Sequence, residues 1–313
     1  MKIFRMNVSQ KGMTLIEIMI AMLIGVFLMT GVIQIFVSAR QAYKLQENLS
    51  RLQENGRIAM DLITKDVRMA GYTNYSCLPV NPTANDPPFG VTNARCCTTN
   101  SVLAGTDIIR IFQWPTAGSC PIPAAAKCLT NPPDVTCPEN ANNERAFFIT
   151  NSSQTGLPVL ARYEGENGIS PERVEGIEDM SVLYGVDTDY NVTAKCPPVA
   201  PDIAPPECYV PNYYVPAQAT WTAADWANVV SIRISLLAIT PDNGLTDAPQ
   251  PYTFNGTTVT PPQLCSSNGV ITASASPSTP TTAPTCAAGS KLVDDTRIRR
   301  VFSSTIAVRN RLL

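Results

Sequence analysis

The sequence contains no histidine. That removes the commonest general base and the commonest metal ligand. Serine–histidine and cysteine–histidine mechanisms are excluded, as is any zinc site that needs imidazole. Charge is scarce as well. Only 15% of the 313 residues are Asp, Glu, Lys or Arg, against roughly a quarter in an average soluble domain. Neither sign dominates: 23 Lys and Arg face 25 Asp and Glu, a net of −2. A nucleic-acid binder would show a basic surplus, and so would a polybasic membrane-surface protein. The chain lacks a C-x-x-C dithiol, a G-x-S-x-G nucleophile turn and any internal repeat. No enzyme and no cofactor is expected from these residues. The length sets a prior of about two domains.

What is abundant is unevenly placed. Residues 13–37 read MTLIEIMIAMLIGVFLMTGVIQIFV, an apolar run whose only charge is Glu17. It is long enough to cross a bilayer as a helix. Before it lies MKIFRMNVSQKG, with Lys2, Arg5 and Lys11 and no acid. Basic residues at one end hold that end in the cytoplasm, so the rest of the chain is expected on the far side of the membrane. A secretory signal peptide has the same order of regions. Its apolar stretch is shorter, however, and it ends at a small-residue cleavage site, for which Val37-Ser38-Ala39 is a poor match. A plain single-span anchor leaves Glu17 unexplained, because an ionisable group in hydrocarbon is costly and marks a functional position.

The segment Gly12-Met13-Thr14-Leu15-Ile16-Glu17 resembles the class III signal of type IV prepilins and pseudopilins. That signal has a basic leader ending in Gly, an aromatic residue or Met, then T-L-[IVL]-E and an apolar helix. The resemblance implies that a prepilin peptidase cuts between Gly12 and Met13. It also implies that the new amino group of Met13 is N-methylated, and that the Glu17 carboxylate meets the cationic N-terminus of a neighbouring subunit during assembly. The family usually has Phe where this chain has Met13.

From Ser38 to Ala70 there is no proline. Leu45, Leu49, Leu52, Gly56, Ala59, Ile63 and Ala70 recur at helical spacing. One helix is therefore expected from Met13 to about Ala70, roughly 85 Å at 1.5 Å per residue. Gly25, Gly31 and Gly56 weaken it locally, while glycines on a span permit close packing. Beyond Gly71 the pattern changes to short strands: 106–112, 145–150, 157–163, 176–186, 228–239 and 299–310. In the last of these Phe302, Ile306 and Val308 share a face. Stretches 131–143, 195–219 and 256–290 read as long irregular loops rich in Pro, Thr, Ser, Ala and Asn. The fold class expected is α+β, a long N-terminal helix packed on an antiparallel sheet. The divisions expected are a leader at 1–12, a span at 13–37, an amphipathic continuation at 38–70 and a β-rich head at 71–313.

Segments LQENGRIAMDLITKDVRMAGY, GIEDMSVLYGVDTD, WTAADWANVVSIRISLLA and RRVFSSTIAVRN, in this order, resemble the PilW family of type IV minor pilins. The resemblance implies a minor pilin at or near the filament tip that primes pilus assembly and supports motility, adhesion or DNA uptake. Its implied partners are other minor pilins, the major pilin, a large tip adhesin, the prepilin peptidase and the inner-membrane assembly platform. Membrane lipid surrounds the span before assembly, with the N-terminus cytoplasmic and the head periplasmic, and the assembled location is the cell-surface pilus. No specific nucleic acid is implied. Two other functions compete. One is a minor pseudopilin of a type II secretion pseudopilus. The other is an adhesin binding through its Pro/Thr-rich loops and Tyr209, Tyr213 and Tyr214.

Ten cysteines follow the span: Cys77, Cys96, Cys97, Cys120, Cys128, Cys137, Cys196, Cys208, Cys265 and Cys286. An even count in an exported head reads as disulfides. Spacing suggests Cys196 with Cys208 and Cys265 with Cys286, while adjacent Cys96 and Cys97 would go to different partners. Asp187, Asp189 and Asn191 have the spacing that opens a calcium loop, but Val192 and Pro198 stand where Gly and Glu belong, so a polar turn is the favoured reading. Asn255-Gly256-Thr257 matches a glycosylation sequon, a pattern common by chance.

Overall fold

The computed structural model describes residues 12, 14–70, 89–90, 103, 106–112, 144–164, 169–188, 210–218, 220–221, 225–226, 228–261, 263–267, 270–272 and 291–308. The basic leader, Met13, Tyr209, the 131–143 loop and nine of the ten cysteines lie outside them. The chain forms two compact units, Met1–Glu47 and Asn48–Leu313. One helix, α1 (Leu15–Arg68), contributes to both.

In the first unit α1 presents side chains all round. Every described residue from 14 to 38 is exposed. Leu15, Phe27 and Ile35 are more than 70% exposed. In the second unit α1 becomes one-sided, with Asn48, Leu52, Gly56, Ala59, Ile63, Asp66 and Val67 buried. Leu52, Gly56, Ala59 and Ile63 belong to the expected stripe; Val67 is not on it, and Leu45 and Leu49 are half-buried. Asn48 and Asp66 are polar residues on the buried face, and each meets a specific partner described below.

That stripe packs on two antiparallel sheets. The first is a meander of five strands, β1 (Phe89–Gly90), β2 (Ile109–Phe112), β3 (Glu144–Asn151), β4 (Pro158–Glu164) and β5 (Ile169–Glu175), in sequential order. The second has the order β14-β8-β6-β7, from β6 (Ile177–Val186), β7 (Tyr213–Val215), β8 (Val229–Ile239) and β14 (Arg299–Ala307). One apolar cluster joins the three layers. It includes Leu52, Ile63 and Val67 of the helix, Phe147 and Leu160 of the first sheet, and Met180, Ile232 and Leu236 of the second. The α+β class holds.

Gly176 fastens the two sheets where β5 passes into β6. Its N–H donates to Pro158 O of β4 at 2.8 Å, and its carbonyl accepts from Ile239 N of β8 at 2.8 Å. It sits at φ +77°, and a Cβ there would lie 2.7 Å from Ile239 O. Only glycine fits both conditions.

Two of the stretches expected to be loops contain strands. β7 falls within 195–219. β10 (Thr257–Val259), β11 (Leu264–Ser267) and β12 (Val270–Thr272) fall within 256–290. β9 (Tyr252–Phe254) pairs with β10 across Asn255 and Gly256, whose φ values are 50° and 78°. That is a two-residue Asn-Gly hairpin, the strongest short-range strand signal, here concealed by polar strand residues. β13 (Lys291–Val293) and β12 flank β11 in a small third sheet.

Candidate functional site: the helix start and the head that carries it

At the start of α1, Gly12 is exposed and without regular structure. Thr14 begins the helix hydrogen bonding: Glu17 N and Ile18 N donate to its carbonyl at 3.1 and 3.3 Å. The Glu17 carboxylate turns back. Its Oε2 accepts from Thr14 N–H and from the Thr14 hydroxyl, each at 3.3 Å. Thr-x-x-Glu here is a capping box by position, with Thr14 before the first turn and Glu17 three residues on. A carboxylate in the first turn also faces the positive end of the helix dipole. The sequence pattern T-L-I-E carried this signal, although spacing alone points only to the acid and not to its partner. Met13 lies outside the described residues, so the peptide that joins it to Gly12 does too.

Beyond Glu17 the surface is hydrocarbon. Mean hydropathy reaches 2.5 over an 18-residue window in which nothing is buried, and this helix is long and apolar enough to cross a membrane. The Thr30 hydroxyl is satisfied within the helix, donating to Val26 O at 2.8 Å. Arg40 closes the apolar run with its guanidinium 4.7 Å from the centroid of the Phe36 ring. Gly25 and Gly31 have nothing within 4 Å of where a Cβ would stand. Their smallness is used by no other part of the described chain.

In the head, polar groups anchor the helix to the sheets. Asn48 and Asp242 exchange two bonds: the Asn48 amide donates to the Asp242 carboxylate at 3.2 Å and accepts from Asp242 N at 3.3 Å. Near the C-terminal end of α1, Asp66 meets Arg162 of β4 at 2.9 Å. Burial pushes the Asp66 carboxyl above its usual range, and the Arg162 charge opposes that shift. At the junction of β13 and β14, Asp295 takes a forked pair of bonds from buried Arg297, both at 2.9 Å. Arg299 binds Glu178 at 2.7 and 3.0 Å and also Asp295. Burial alone would raise the Asp295 carboxyl, but Arg297 and Arg299 hold it below the usual range. Glu178 reaches Arg299 because β6 bulges there: its register to β8 shifts between Ile177 and Asp179. The two adjacent acids between Ile177 and Met180, which break the alternation, are the sequence signal for that bulge.

These groups are structural ties, and among the described residues no group of three or more potential metal ligands gathers. Asp187 is buried and its N–H donates to Asn228 O at 2.9 Å, while Asp189 and Asn191 lie outside the described residues. Cys265 is buried and disulfide-bonded. Cys196, Cys208 and Cys286, named in the expected pairings, lie outside the described residues. Tyr214 is held internally, its hydroxyl 3.2 Å from Ser231 Oγ and its ring 3.8 Å from the Arg233 guanidinium, whereas Tyr213 is 47% exposed.

The prokaryotic N-terminal methylation motif matches residues 7–33. The family described as Type IV Pilus-assembly protein W matches residues 146–310, just over half of the chain. No curated protein matches. Among solved structures, the type IV-like pilin TTHA1219 from Thermus thermophilus aligns at 15% identity with a TM-score of 0.34, covering 84% of this chain and 99% of that one. With a methylation motif at the start of its apolar helix and the W-type head on its two sheets, this chain belongs to the PilW family of type IV pilus assembly proteins.

Proposed function

We propose that this protein is a minor pilin, built into a type IV pilus at or near the tip, where it primes assembly and has a structural rather than a catalytic role. The observation that carries the reading is the fully exposed apolar helix that starts at a methylation motif in a chain with a PilW head. Such a surface needs lipid first and protein neighbours afterwards. In this reading the peptidase cuts after Gly12, Met13 becomes the methylated N-terminus, and the leader side is cytoplasmic. Other minor pilins and the major pilin cover the helix. Glu17 then serves twice. In the single subunit it closes its own helix start through Thr14. In the filament it faces the cationic N-terminus of a neighbour.

The test is Glu17→Ala beside Glu17→Gln, scored for membrane insertion, cleavage and incorporation. Insertion persists in both, because the span becomes more apolar. Incorporation falls in both. Stranding a charge in low dielectric costs several kcal/mol, whereas an exposed pair contributes about 0–1 kcal/mol. Normal amounts of both variants in sheared pili would show that Glu17 only caps its own helix.

A further inference from the structure

β14 lies at the edge of its sheet, and among the described residues no strand pairs with its outer side. The register fixes which of its backbone groups are turned outward. Antiparallel neighbours alternate between hydrogen-bonded and non-bonded pairs. Thr240 N donates to Ile298 O at 3.0 Å and Val308 N to Val230 O at 2.9 Å. Between them the ladder runs without a shift from Arg299↔Ile239 to Ala307↔Ser231. The even-numbered residues therefore bond to β8. The N–H and C=O groups of Val301, Ser303, Thr305 and Ala307 point to the open side, and the side chains of these four are exposed.

Proteins guard long edges with proline, charge, a bulge or brevity, since an open ladder pairs with any extended chain. The other edges of the two main sheets follow that rule. β1 is two residues long, β5 contains Pro171 and two acids after it, and β7 is three residues long between Pro211 and Pro216. β14 is nine residues long, unbulged against β8, free of proline and uncharged after Arg300. Its sequence from Val301 onward, VFSSTIA, is rich in residues that favour strands. Among the described residues nothing guards this edge, and such an edge is suited to being covered.

Charge selects the occupant. Neither β14 nor β8 contains an acid. Arg300 is exposed at one end of the edge, whereas Arg233, in register with Thr305, turns its guanidinium away over the Tyr214 ring of β7. A second copy of this chain, pairing through the same edge, would bring the same cation. We propose that the open edge of β14 receives an extended strand of a different pilin subunit, uncharged opposite residues 301–307 and carrying Asp or Glu toward the Arg300 end. Backbone bonds would supply the attachment and the flanking acid the register, as in strand addition generally. This rests on the minor-pilin reading and names the surface through which the head meets its neighbour.

The test uses the full chain in its own host. A photo-crosslinking residue at position 303 should yield a product whose second peptide maps to an acid-flanked extended segment of another protein with a prepilin leader. Thr305→Pro removes an outward N–H that β8 does not use, so the fold should persist by proteolysis and melting. The crosslink and the amount of chain in sheared pili should each drop about tenfold or more, the loss of one to two hydrogen bonds' worth of attachment. Thr305→Lys, exposed and compatible with the fold, should do the same and decides the matter if the proline variant misfolds. Wild-type chain absent from pili would sink the minor-pilin reading itself. Wild-type chain present in pili beside equally abundant Thr305→Pro and Thr305→Lys overturns the edge proposal alone. So does a crosslink to a second copy or to the chain's own segments.

Discussion

Asp179 shows how much a single buried side chain can set. It is 3% exposed on β6, and its Oδ1 accepts from Met180 N at 2.7 Å. Burial drives its carboxyl up to about 7, with the charges of Asp107 and Glu178 adding to the rise. Because the folded value lies above the unfolded one near 3.9, the folded protein keeps a proton that the unfolded chain gives up. The resulting stability is full below about pH 4 and drains away as pH rises toward 7, after which it is flat. Asp179→Asn keeps the acceptor oxygen and removes the charge. It should flatten that part of the stability profile and raise stability at pH 8, by at most about 4 kcal/mol for a rise to about 7. Melting both proteins from pH 4 to pH 8 measures the difference directly; parallel curves would show that Asp179 is ionised in the fold. Asp66 is raised for the same reason, while Asp295 is held down by its arginines. The three acids thus act in opposing directions on the same curve.

At the scale of elements, the contact of α1 with β14 turns on Gly56. A Cβ on Gly56 would stand 2.3 Å from the Phe302 ring. Gly56→Ala therefore forces the ring aside, and the expected cost is about 1–3 kcal/mol. Adding Phe302→Leu should return part of that loss, because the two residues share one space and their effects do not add. Equal melting temperatures for wild type and Gly56→Ala would mean that the ring yields freely. The helix itself was legible from its spacing of apolar residues, and so were the strands in which alternation is clean, such as β8 with Ile232, Ile234 and Leu236 inward and Arg233 outward. Gly56 reads in the sequence as a member of the helical stripe and a weak point in the helix; its meaning depends on Phe302, 246 positions away in sequence. The buried places of Asn48 and Asp66 were hidden for the same reason, since Asp242 and Arg162 are distant partners. β1, β7 and β9–β13 were missed because strands that are short, or paired in small satellite sheets, need little apolar alternation, and β5 because Pro171, Glu172 and Glu175 leave it little apolar alternation. The Asn255-Gly256 turn was the one local clue available.

For the whole molecule, the unequal division of chemistry along the chain is the feature that matters most. The first unit puts its apolar side chains outward, whereas the second has a closed core shared by a helix and two sheets. An apolar surface of this kind is favoured by an environment that replaces water around the first unit, and in the proposed reading the leader directs it there. In that reading Lys2, Arg5 and Lys11 hold the N-terminus on the cytoplasmic side but would be a burden once the helix lies among others, because each is a charge to be desolvated. The proposed cleavage after Gly12 would remove all three. Lys and Arg fall from 23 to 20 while Asp and Glu remain 25, so the formal net charge changes from −2 to −5. The mature chain should begin at Met13 with a methylated amine, next to Thr14, whose N–H is bonded to Glu17. Intact-mass and N-terminal peptide analysis of sheared pili should find that terminus. Recovery of chain beginning after Ala39 would instead identify the apolar run as a secretory signal, and the filament role of the exposed helix would fall with it.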